Sequence, residues 1–66
     1  MIRKPVNSSR IRSVGWDNNV LEIEFKDGAI YQYLNVKESE YISFINSSSL
    51  GRALNLLDKS HPYRRV

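Results

Sequence analysis

Val20-Leu21-Glu22-Ile23-Glu24-Phe25-Lys26-Asp27-Gly28-Ala29-Ile30-Tyr31-Gln32-Tyr33-Leu34 is the stretch that decides the fold. Apolar and charged side chains alternate from Leu21 to Lys26, with Leu21, Ile23 and Phe25 on one side and Glu22, Glu24 and Lys26 on the other. This period of two marks a strand with one buried face. Asp27-Gly28 then breaks the pattern. The pair suits a two-residue hairpin turn of type I′, whose central residues both need positive φ. Ala29 to Leu34 is rich in β-formers, so the chain returns as the next strand.

A two-residue turn fixes the register. It sets Phe25 opposite Ile30, Ile23 opposite Gln32 and Leu21 opposite Leu34, and it sets Glu24 opposite Tyr31 and Glu22 opposite Tyr33. Upstream, Arg10 to Trp16 reads as a strand, and Asp17-Asn18-Asn19 as a three-residue turn, since Asp and Asn tolerate left-handed backbone. That closure pairs Trp16 with Val20, Val14 with Glu22 and Arg12 with Glu24. Residues 10–34 are thus expected to form a three-stranded antiparallel β-meander. One face shows Ile11, Leu21, Ile23, Phe25, Ile30 and Leu34; the other shows Arg12, Val14, Trp16, Glu22, Glu24, Tyr31 and Tyr33. Burying unpaired carboxylates is costly, so the aliphatic face is expected inside and the aromatic, charged face outside. Gln32 is the misfit, since it lands on the apolar side and needs a hydrogen-bond partner there.

Downstream the period becomes helical. Tyr41, Phe44, Ile45 and Ser48 predict a helix over about 36–46, with Asn35 and Glu38 as an approximate capping box. Ser49 suits the cap of a second helix that carries Leu50, Ala53, Leu54 and Leu57 on one stripe and ends at 58–61. Gly51 costs that helix about 1 kcal/mol in propensity, which points to a close contact there. Pro62 holds His61 extended, so 59–66 reads as an extended tail and 1–9 as an irregular arm. The architecture expected is α+β, one domain over 1–66, with two short helices packed on one face of the meander.

Sixty-six residues exclude a large enzyme with a deep cleft; the scaling law allows roughly 4,300 Å² of folded surface. The absence of cysteine excludes disulfides and thiolate metal sites. No apolar run approaches the roughly 18 residues of a membrane span. Met1-Ile2-Arg3-Lys4-Pro5 lacks the apolar stretch of a signal peptide, so a cytoplasmic protein is expected. The net charge is +3, and the excess sits at the ends: Arg3, Lys4, Arg10 and Arg12 near one, Lys59, Arg64 and Arg65 near the other, with no acid among residues 1–12 or 59–66. Such ends suit a polyanion, although a charge of this size also serves solubility.

The pattern Val6-x-Ser8-Ser9-x-Ile11, then Val14-Gly15-Trp16-Asp17, then Leu21-Glu22-Ile23-Glu24-Phe25, resembles the opening of the KTSC domain. Tyr31-Gln32-Tyr33 matches the central Tyr-x-Tyr of that family. Ser49-Leu50-Gly51-Arg52, Asn55 and Pro62-Tyr63-Arg64-Arg65-Val66 are similar to its closing section. The likeness runs in order over nearly the whole chain. The family takes its name from the C-terminal region of some lysyl-tRNA synthetases and includes short free-standing bacterial and phage proteins; RNA binding has been suggested for it. Trp16 stands where Tyr or Phe is usual, Ala53-Leu54 where an aromatic pair is common, and Leu57-Asp58 where Ile-Arg is common. The last change removes a positive charge from the second helix.

Tyr31 and Tyr33, at i and i+2, point to one face. Exposed rings stack bases, and guanidiniums neutralise phosphate. Arg12 and Trp16 are expected to flank those tyrosines, with Arg52, Tyr63, Arg64 and Arg65 completing the surface. The bland reading is that the tyrosines pack across the sheet or under the tail, with their hydroxyls satisfied. Tyr63 likewise either stacks on a ligand or docks the tail. Glu22 and Glu24 on the same face repel phosphate unless they pair with Arg12, Arg64 or Arg65. Catalysis is not expected: one histidine, no glycine-rich phosphate loop, and nothing to orient Ser8 or Ser9 against His61. Nor is any cofactor or metal site. The expected function is a non-catalytic binding module for RNA or a nucleotide-bearing ligand. The alternative is a protein-interaction or homo-oligomerisation module, including a phage-type accessory protein that captures a small nucleotide.

Overall fold

The computed structural model describes residues 1–66. One antiparallel sheet holds five strands in chain order: β1 (Lys4–Pro5), β2 (Ile11–Asp17), β3 (Val20–Phe25), β4 (Ile30–Tyr33) and β5 (Tyr63–Arg65). Helices α1 (Glu38–Ile45) and α2 (Leu50–Ser60) connect β4 to β5 and send Phe44, Leu54 and Leu57 into the core. The architecture is α+β with two helices, as expected, but the meander has five strands rather than three. The arm contributes β1, with Lys4 opposite Val14 and Pro5 opposite Ser13. The tail contributes β5, with Tyr63, Arg64 and Arg65 opposite Tyr33, Gln32 and Tyr31. Strands of two and three residues are too short to display a hydrophobic period, so they read as irregular chain.

Both hairpin turns differ from expectation by one residue. The first is the two-residue turn: Asn18 (φ 50°) and Asn19 (φ 64°) are both left-handed, and Asp17 pairs with Val20. The second is closed by three residues. Phe25 N–H donates to the Ala29 carbonyl at 2.8 Å and Gly28 N–H to the Phe25 carbonyl at 3.0 Å. Only Gly28 there has positive φ (95°), and Asp27 accepts the Ala29 N–H at 3.0 Å. This is the three-residue loop with a left-handed glycine. Each one-residue slip turns a whole strand over.

The slips decide the core. Leu21 lies opposite Tyr33 and Trp16, and Ile23 opposite Tyr31 and Val14. The Leu21–Ile23 face is the helix-covered one, as expected, but Val14, Trp16, Tyr31 and Tyr33 lie on it too. An irregularity between Ile11 and Ser13 brings Ile11 to this face as well. The core is Ile11, Val14, Leu21, Ile23, Tyr33, Val36, Phe44, Leu54 and Leu57.

Two helix expectations change. Asn35 is left-handed (φ 59°) and caps nothing. Lys37 is the cap residue, and Glu40 accepts its N–H at 3.1 Å. Gly51 has no neighbour within 4 Å of the space a Cβ would take, so no contact requires it. Ser49 caps α2 as expected, accepting the Arg52 N–H at 3.4 Å.

Candidate functional site

Two rows of side chains cross the helix-covered face. One runs Trp16, Leu21, Tyr33, Tyr63; the other runs Val14, Ile23, Tyr31, Arg65. Tyr33 is only 2% exposed and donates its hydroxyl to Asp58 of α2 at 2.6 Å. It is a core residue, and the expected outward platform of Tyr31 and Tyr33 is not there. Burial first, then the Asp58 hydrogen bond, pushes the Tyr33 hydroxyl well above the usual phenol range. It therefore stays a donor, and Asp58 is the acceptor.

Tyr31 and Tyr63 do meet, at the open margin of this face. Their ring centroids are 5.7 Å apart. Tyr31 also sets its edge against Phe25 at 5.6 Å, and Tyr63 leans on Tyr33 at 5.1 Å. Tyr31 is half-buried, whereas Tyr63 is 50% exposed. Between these rings and α2 opens a cleft of about 270 Å³, with Arg10, Asp27 and Asp58 on its rim. The sheet end beside it gathers cations. Lys26 N–H donates to the Arg10 carbonyl at 3.0 Å, Arg12 reaches the Lys26 carbonyl at 3.2 Å, and Arg65 lies opposite Tyr31 on the cleft side. None of Arg10, Arg12, Lys26 or Arg65 is in a salt bridge. Aromatic faces beside unpaired guanidiniums hold a planar anionic ligand by stacking and charge.

Of the expected site residues, Tyr31, Tyr63, Arg65 and Arg12 share this end of the sheet. The others sit apart. Trp16 is half-buried, stacks on Tyr41 at 6.1 Å and donates its indole N–H to the Val36 carbonyl at 2.8 Å. Arg52 lines a groove between the two helices. Arg64 is on the opposite face of the sheet. There, a polar row crosses the strands. Glu22 accepts from Arg3 at 2.8 Å and from Gln32 at 2.8 Å, and the Gln32 oxygen accepts two bonds from Arg64 at 3.0 and 2.8 Å. Glu24 accepts from Ser13 at 2.9 Å. Gly15 lies under this row: a Cβ there would meet the Ile2 carbonyl at 2.6 Å and the Arg3 side chain at 3.1 Å. Arg3 thus crosses over Gly15 to reach Glu22.

Arg10, Phe25, Asp27, Ala29, Leu54 and Asp58 are the cleft residues that sequence reasoning missed. Arg10 was visible in the basic N-terminal run, but Phe25 and Asp58 join the site only through the true register. The inter-helix groove, about 490 Å³, has Phe44, Ala53 and Leu57 along it and Leu56 beside them, 65% exposed. At its end His61 has an acceptor at both ring nitrogens, the Leu34 carbonyl at 3.1 Å and Glu40 at 2.8 Å. The Lys37 N–H first, and then His61, hold the Glu40 carboxyl below its usual range. No three His, Asp or Glu side chains converge on a point where a metal ion would be held.

Residues 7–63 match the family model described as the KTSC domain. An uncharacterized protein of Stutzerimonas stutzeri (strain A1501) is 38% identical over 66 residues, with 97% of this chain and 93% of that one covered. The crystal structure of a KTSC domain protein from Yersinia pestis superposes with a TM-score of 0.90 at 39% identity, covering 98% of this chain and 96% of that one.

Proposed function

The chain belongs to the KTSC domain family, and on that footing we propose that it is a small non-catalytic binding module for RNA or another nucleotide-bearing ligand, taken at the ring cleft. One observation carries this reading: Phe25, Tyr31 and Tyr63 meet at the sheet end where Arg10, Arg12, Lys26 and Arg65 lie without salt-bridge partners. The rings offer stacking surface, worth about 1–3 kcal/mol per base. The guanidiniums offer phosphate contacts that add affinity without reading sequence. The platform has moved from the solvent side of the sheet to the margin of the helix side. That move takes the ligand away from Glu22 and Glu24, which Arg3, Gln32 and Ser13 already occupy.

The test is a titration with short single-stranded RNA at several salt concentrations. Three or four phosphate contacts predict a log–log slope of roughly −2 to −3. Arg65→Ala is expected to reduce that slope by about 0.7. A flat salt response, or amide shifts confined to α1 and α2, would sink the reading. The latter result favours the alternative, a protein-interaction module, for which the exposed Leu56 beside an apolar groove speaks.

A further inference from the structure

The cleft has two carboxylates that phosphate binding does not use: Asp27, in the hairpin turn and bonded to the Ala29 N–H at 3.0 Å, and Asp58, on α2 and held by the buried Tyr33. Asp58 stands on its rim, exposed, and takes part in no salt bridge. Its single hydrogen bond is the one from Tyr33 to Oδ1. An ionised carboxylate has roughly four lone-pair sites and no donor, so most of its accepting capacity is open to a ligand. Tyr33 fixes the carboxylate from below, because its buried hydroxyl serves as a donor. A volume of about 270 Å³ is at the small end for ligand sites and suits one base rather than a whole nucleotide.

Resting on the binding reading above, we infer that the cleft selects guanine, with the base against Tyr31 and Tyr63 and its N1–H and N2–H₂ donating to Asp58. The selection follows from donor and acceptor order along each base edge. Guanine presents two adjacent donors. Adenine and cytosine each present an amino group beside a ring acceptor, and uracil presents one N–H between two carbonyls. A carboxylate can only accept, so it attracts the first edge and is repelled by the acceptors of the others. The phosphate then lies toward Arg10 and Arg65. An organic ammonium is the rival occupant, since rings and a carboxylate also form a cation cage. Against the two rim carboxylates, Asp27 and Asp58, stand four cations at the same sheet end, and this excess of positive charge weighs against it.

The experiment follows amide shifts of the full chain with GMP, IMP, AMP, UMP and choline at low salt, in the wild type and in Asp58→Asn. GMP is expected to bind roughly tenfold more tightly than AMP or UMP, with IMP between, a contrast typical of a well-made bidentate base contact. Asp58→Asn is expected to lower GMP affinity roughly tenfold and to strengthen AMP binding, because a carboxamide offers one donor and one acceptor to the adenine edge. Should the variant fail to fold, the wild-type series decides alone. Equal binding of GMP and AMP with shifts at Tyr31 and Tyr63 overturns guanine selection and leaves the binding module standing. Shifts with choline and none with nucleotides overturn both readings, as does no shift with any of the five.

Discussion

Gln32 carried the most information of any single residue. In the register drawn from a two-residue turn it sits among Ile23 and Phe25 with no partner, a cost the core would have to bear. Moving the turn by one residue sends Gln32 to the open face, between Glu22 and Arg64, and brings Tyr33 into the core beside Leu21. The misfit was legible; its remedy was not, because Asp27-Gly28 and Asn18-Asn19 both satisfy the local chemistry of a type I′ turn. Only packing against the helices decides which pair takes it. Glycines show the same limit. Gly51 looked required and meets nothing, whereas Gly15 lies against the Ile2 carbonyl and the Arg3 side chain. Gly51→Ala is therefore expected to stabilise the protein by about 0.5–1 kcal/mol, through helix propensity. Gly15→Ala is expected to destabilise by about 1–3 kcal/mol, as an overpacked site does, and to speed hydrogen exchange in β1. Urea unfolding of both variants checks the opposite signs.

At the scale of elements, both helices and the three central strands follow from period and composition. β1 and β5 do not, since a neighbour's hydrogen bonds define them more than their own residues do. The joint between elements was equally invisible. His61 ties the end of α2 to Leu34 after β4 and to Glu40 in α1, while Leu34 N–H donates to the Pro62 carbonyl at 2.8 Å. These residues are 27 and 21 positions apart in the chain, beyond any local rule. His61→Ala is expected to cost about 1–2 kcal/mol, because it leaves the Leu34 carbonyl without its bond. Acid should loosen the same joint. The Lys37 N–H and His61 both favour the charged form of Glu40, so its folded pKa lies below the ordinary 4.5. The stability it confers is present above that value and is lost as pH falls through the lowered one. Glu40→Gln should therefore show a shallower acid loss of stability than wild type when urea midpoints are followed downward from neutral pH. Identical profiles would remove Glu40 from the joint.

The whole molecule is a sheet with one covered face and two free edges, and a chain this small has little surface with which to hide an edge. Its exposed area is 4447 Å², close to the scaling expectation of roughly 4,300 Å² for a compact monomer of this mass. Free edges invite pairing between copies, and natural sheets suppress it with charge, proline and short edge strands. All three occur here. β1 is two residues long and consists of Lys4 and Pro5, and β5 is three residues long with Arg64 and Arg65. Antiparallel pairing of β5 with its own copy, centred on Arg64, would set the two Arg64 side chains directly opposite each other and bring each Arg65 beside the other chain's edge. Like charges set directly opposite across strands are destabilising. The chain is accordingly expected to sediment as a 7.7 kDa monomer at micromolar concentration. Replacing the edge charges, Arg64→Thr with Arg65→Thr, removes the repulsion and leaves β-formers on an open edge, so this double variant is expected to shift toward a dimer. A wild-type protein that sediments as a dimer at low micromolar concentration would show that its copies associate despite these charges, and the protein-interaction alternative would then gain over ligand capture by a single chain.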